Sequence, residues 1–148
     1  LISHEEVGDA RPASSGAYRI IKPTLVPFIS YPYEWSFSQL QDAALLTLDI
    51  QAEALRHGMT LKDATAFNVQ FVGAKPVFID TLSFERYEEG TPWVAYQQFC
   101  RHFLAPLALM SYCDVDLRAL GVPFLHGVPL SLASSILPAL TAYSNGSA

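Results

Sequence analysis

Between residues 36 and 57 apolar and polar positions recur with a helical period. Phe37, Leu40, Ala44, Leu45, Leu48 and Leu55 occupy much of the circumference, and Asp42, Asp49, Glu53 and Arg56 fall on one narrow stripe. The pattern predicts a long, mostly buried helix. Ser36 with Gln39 has the form of a capping box, and Gly58 stands where a left-handed C-terminal residue belongs. The next ten residues, Met59 to Asn68, are too short and too polar at their end for a second long helix. Two strand-like runs follow, Val69 to Val72 and Pro76 to Asp80, around Gly73-Ala74-Lys75, and they predict a β-hairpin with a three-residue loop. Thr91-Pro92 reads as the cap and first turn of a helix from Trp93 toward Tyr112, kinked near Pro106. A loop with Asp114, Asp116, Gly121, Pro123, Gly127 and Pro129 comes next, and then a last helix over 131–143 with Pro138 inside it.

Residues 1–35 break this regularity with Gly8, Pro12, Gly16, Pro23, Pro27 and Pro32, and read as an irregular arm with short strands near 17–21 and 25–30. Tyr31-Pro32-Tyr33-Glu34-Trp35 reads as an aromatic plug against the start of the long helix. The fold class expected is therefore α+β, mainly helical, with one β-hairpin and a helical cluster, divided into an arm over 1–35 and a domain over 36–148.

Composition narrows the function classes. Of 148 residues 51% are apolar and 16% charged, which excludes a disordered chain. The net charge of −5, from 9 Lys+Arg against 14 Asp+Glu, argues against a protein that grips nucleic acid through its phosphates. No apolar run reaches the about 18 residues of a membrane span, and no signal-peptide pattern is present. Cys100 and Cys113 read as buried thiols of a reducing compartment, so a cytoplasmic location is expected. The chain starts at Leu1, and we expect it to be part of a longer product. Its apolar surplus suggests surface meant for other domains of the parent chain or for a second copy.

The chemistry-bearing residues gather in one stretch. Asp63 is followed by Asn68, and the hairpin returns to Asp80 at the end of an apolar strand. A carboxylate to take the proton of an attacking hydroxyl, an amide oxygen on Mg²⁺ and a second carboxylate bridging metal to ATP are what phosphoryl transfer of the kinase type requires. The competing reading is that Asp63 and Asn68 cap a turn and Asp80 anchors the loop after its strand. Other sites are poorer. His4, His57, His102 and His126 lack zinc-ligand spacing, no G-x-S-x-G elbow exists, and the stretch from Ser83 to Glu89 reads as a solvated connection. Arg101-His102 either faces a phosphate or packs on its helix.

The run from Leu61 to Asn68 followed by Val77 to Asp80 resembles the catalytic loop and metal-binding strand of the protein-kinase-like C-lobe, including the aminoglycoside and choline phosphotransferase branches. That resemblance implies Asp63 as catalytic base with Lys62 beside it, and Asn68 and Asp80 as ligands of Mg²⁺ and, through it, of ATP. The chain departs from that family at Leu61, where kinases usually carry His, and at Thr81-Leu82, where they carry Phe-Gly. It contains no G-x-G-x-x-G, and the 35 residues before the long helix are too few for an N-lobe.

A longer stretch, from about residue 20 to 112, with Tyr31 to Phe37, Leu61 to Phe71, Pro76 to Glu85 and Trp93 to Ala108, resembles the N-terminal region of a bacterial family labelled class I SAM-dependent methyltransferase, some of whose members are called nodulation-related. This implies an accessory domain beside a methyl-transfer domain. SAM itself would bind outside these residues, because the chain has no E/D-x-G-x-G loop. The functions expected are thus an accessory kinase-like domain of a larger methyltransferase-family protein, inactive alone, a phosphotransferase fragment, or a structural interaction domain.

Overall fold

In the computed structural model, which describes residues 1–7 and 20–137, the longest element starts where the sequence places it. The Ser36 hydroxyl accepts from Gln39 N at 3.2 Å and the Gln39 side chain accepts from Ser36 N at 3.0 Å. Two N–H groups that a helix start leaves open are thereby satisfied. Helix α1 spans Phe37–Arg56 and ends at Gly58, whose φ of +68° suits glycine.

The face that α1 buries differs from the expected one. Leu40, Ala43, Ala44, Thr47, Gln51 and Ala54 are buried, whereas Leu45, Leu48 and Leu55 are exposed, so the helix is half covered rather than mostly buried. Small side chains let the neighbouring strands approach closely, and the polar ones carry their own partners. Thr47 Oγ1 donates to Ala43 O at 2.9 Å, Gln51 Nε2 donates to Thr60 Oγ1 at 3.0 Å, and Gln51 Oε1 accepts from Leu61 N at 2.8 Å. A buried amide so engaged costs far less than an unpaired one.

The described residues also form three short antiparallel strand pairs. Strands β1 (His4–Glu6) and β2 (Ile21–Pro23) pair in the arm. Strand β3 (Met59–Leu61) pairs with β6 (Phe84–Arg86), and β4 (Val69–Val72) pairs with β5 (Lys75–Phe78). Neither β3 nor β6 is legible as a strand in the sequence, because three residues are too few to show an alternation. The β4–β5 register pairs Val72 with Lys75, so Gly73 and Ala74 form a two-residue loop, one shorter than expected. Gly73 alone has positive φ, +62°, as a glycine-first hairpin turn requires. Residues 25–30 form no strand.

The helix expected from Trp93 begins only at Tyr96. Thr91 instead closes a turn, donating from its hydroxyl to Glu88 O at 2.6 Å. Helix α2 (Tyr96–Phe99) runs into a π-helical turn, Cys100–Leu104, and then into α3 (Ala105–Tyr112). Pro106 cannot donate back to residue 102, and the wider turn just before it accommodates that loss. After α3 comes a 3₁₀ stretch, Val115–Gly121, started by Asp114, which accepts from Asp116 N at 2.8 Å. Helix α4 (Leu130–Ile136) follows. Gly8, Pro12, Gly16, the 17–19 part of the first expected strand, and the last helix beyond 137 with Pro138 lie outside the described residues.

The main core joins the inner face of α1 to β4, β5 and α2, with Trp35, Leu61, Val69, Phe78 and Phe103 almost wholly buried. Of the aromatic run read as a plug, Trp35 enters the core and Tyr31 stays exposed: the Trp35 ring meets Phe71 edge-on at 5.1 Å and its Nε1 donates to Ser30 Oγ at 2.8 Å. A second cluster packs Leu109 of α3 against Val128 and Ala133. Cys100 is buried, but Cys113 is exposed, because it follows the last turn of α3 and leaves the core there. The architecture is the expected α+β mixture of small hairpins and a helical cluster, and no described helix is long and apolar enough to cross a membrane.

Candidate functional site

Asp63, Asn68 and Asp80 converge. The loop after β3 is held from both ends, with Trp93 Nε1 donating to Leu61 O at 2.7 Å and Ala64 N donating to Gln98 Oε1 at 2.6 Å. Within it, Asp63 Oδ1 accepts from Thr65 N at 2.9 Å, an Asx-type turn, and from Asn68 Nδ2 at 2.9 Å. A 3₁₀ turn, Ala66–Asn68, aims Asn68 inward, where it is buried. Its main-chain carbonyl accepts from Ile79 N at 2.8 Å, which ties the loop to the end of β5 and so to Asp80.

The closing member is Ser83. It is 1% exposed, its hydroxyl donates to Asp80 Oδ2 at 2.6 Å, and it accepts from Asn68 Nδ2 at 3.3 Å. Asp80 Oδ1 accepts from Leu82 N at 2.8 Å, and Asn68 Oδ1 accepts from the Thr65 hydroxyl at 3.3 Å. The chain Asp63–Asn68–Ser83–Asp80 is thus continuous, and Lys62 N donating to Ser83 O at 2.8 Å fastens its two halves through the main chain. The Lys62 side chain is exposed and takes no part.

Sequence reasoning missed Ser83, which it assigned to a solvated connection. The surrounding charges of Glu85, Arg86, Glu88 and Glu89 mislead there, whereas the spacing Asp80-x-x-Ser83 carries the signal: a carboxylate can accept from the second N–H and the third hydroxyl after it. Phe84–Arg86 is strand rather than loop because it pairs with β3.

The acceptors Asp63, Asn68 and Asp80 are hard oxygen donors, the type that Mg²⁺ takes. Among the described residues no three or more His, Cys, Asp or Glu side chains stand together as a metal-holding group. What the geometry does is cross-link: it fastens the loop after β3, the end of β5 and the segment before β6 into one unit. His102, buried on the π turn, meets Phe67 of this loop edge-on at 6.1 Å. Burial holds its pKa down at about 4, although Asp63 pulls it up.

Fold and site together describe a small α+β unit with a polar cross-link between its loops, and its sequence is like part of a bacterial nodulation protein. That relative is the nodulation protein NoeA of Rhizobium meliloti (strain 1021), 46% identical over 111 residues, which are 75% of this chain and 23% of the relative. The chain is similar to NoeA over that stretch and spans about a quarter of the relative's length. No family model matches the chain, and no solved structure does.

Proposed function

We propose that this chain is an accessory domain of a larger, NoeA-like protein of the methyltransferase-labelled family, and that its Asp63–Asn68–Ser83–Asp80 network braces the unit without performing chemistry. One observation carries this reading: Asp63 Oδ1, the Asn68 amide and both Asp80 oxygens, which a kinase-like site would turn toward metal and substrate, are engaged by neighbouring protein groups. The exposed leucines of α1, Leu45, Leu48 and Leu55, provide an apolar face that suits packing against other domains of the parent chain.

Melting of single variants tests the brace. Asn68→Ala withdraws a donor from Asp63 and Ser83 in a buried place and is expected to cost about 2 to 3 kcal/mol, roughly 5 to 10 °C in Tm. Ser83→Ala should fall in the same range, whereas Lys62→Ala should leave Tm within about 1 °C. Equal, small effects of all three would overturn the brace.

A second reading, a Mg²⁺–ATP site of the kinase type, is favoured by Asp63 bonding Asn68 directly and Asp80 being linked to it through Ser83. In it Asp63 is the base, with Lys62 beside it, and Asn68 and Asp80 hold the metal. Saturable Mg²⁺–ATP binding that Asp80→Ala abolishes would establish it, and ATP turnover would extend it to phosphotransfer.

A further inference from the structure

Beside the brace, and adjoining it through Thr65, Phe67 and the Gln98 that holds its loop, lies a cavity of about 530 Å³ with Leu125 on its wall. Thr65, Phe67, Gln97, Arg101, His102 and His126 line it. Its size is that of small-molecule sites.

Arg101 is the unusual member. Its Nε is buried and has no hydrogen-bond partner, and its Nη2 reaches only Gly127 O, at 3.3 Å. Among the described residues no carboxylate pairs with it. With Nε enclosed by protein, the guanidinium would meet a ligand in the cavity through its Nη groups, and a guanidinium with no carboxylate partner suits an oxyanion. The position is enforced from two sides. The π turn brings Arg101 and His102 to the same cavity. Opposite it, Gly127 has φ +84°, and a Cβ there would stand 2.7 Å from Arg101 Cβ and 2.9 Å from its carbonyl carbon. Val128 N, next in sequence, donates to Arg101 O at 2.9 Å.

The local charge agrees. Asp63 is the carboxylate that acts on His102, and its Oδ1 is already taken by Thr65 N and Asn68 Nδ2. None of the residues lining the cavity is acidic.

We infer that this cavity binds a small ligand through an oxyanion, a phosphate or carboxylate group, seated on the Arg101 guanidinium, with the rest of the ligand against Phe67 and Leu125 and with Gln97 and His126 at the mouth. The two sources of the oxyanion are separated by the probes.

The test is NMR titration of the 148-residue chain with inorganic phosphate and, separately, with acetate, read at the Arg101 Nε–Hε signal and the His102 and His126 ring signals. A saturable shift of these signals is expected, with phosphate the stronger for a phosphate ligand and acetate for a carboxylate one. Arg101→Met, which keeps the stem, should weaken binding by about tenfold or more, and Lys62→Ala should leave it unchanged. His126→Ala, at an exposed position, is the second variant should Arg101→Met fail to fold, and it should weaken binding severalfold. No saturable shift with either anion would overturn the site, as would a shift that persists undiminished in the Arg101 or His126 variant.

Discussion

His102 shows how one buried side chain ties stability to pH. Desolvation holds it neutral, and Arg101 and His126 push its pKa the same way, while Asp63 pulls against them, with the outcome near 4. In the unfolded chain the ring titrates near 6.5. Below that pH the unfolded state takes up a proton that the folded state refuses, so the folded state loses ground as pH falls from about 6.5 to about 4. The loss over that window is of the order of 3 kcal/mol. Urea melts at pH 7 and pH 4.5 should therefore show a smaller acid loss for His102→Gln than for the unmodified chain. An identical loss in both would show that another group sets the acid limb. At this scale the sequence is legible for Asp63, Asn68 and Asp80, whose polar type and spacing announce a cluster. It is mute for Gln51, Ser83 and Gln98, because an uncharged polar residue reveals its burial only through partners distant in the chain, such as Leu61 N for Gln51 and Ala64 N for Gln98.

Among the elements, α1 and the hairpin follow local rules and the rest do not. The capping box and Gly58 fix the ends of α1 to within a residue of the expectation, because both signals act within one turn of chain. Its buried face is not the leucine-rich one, because the core packs against Ala43 and Ala44 while Leu45, Leu48 and Leu55 face outward. The glycines of two turns separate backbone strain from collision. Gly58 has φ +68° with open space where a Cβ would go, so Gly58→Ala should cost about 1 to 2 kcal/mol from conformation alone. Gly127→Ala adds a backbone clash with Arg101 at 2.9 Å and should cost roughly 3 kcal/mol or more. Comparable melting temperatures for the two variants would contradict the close approach of the 127 loop to the π turn. The late start of the helix at Tyr96 has the same lesson: a Thr-Pro pair offers a cap, but Thr91 found a nearer acceptor at Glu88 O.

For the whole molecule, the surplus of apolar residues is visible as outward leucines on α1 and as exposed Leu25, Phe28 and Leu82. The chain spans 23% of its relative NoeA. The claim that most needs testing is that Asp63, Asn68 and Asp80 hold the unit together rather than hold a nucleotide. Calorimetric titration of Mg²⁺–ATP into the chain, alongside Asp80→Ala, tests it most directly. The brace predicts that the two proteins give the same heats, because Asp80 holds no ligand; a saturable heat in the unmodified chain that disappears in Asp80→Ala would contradict it.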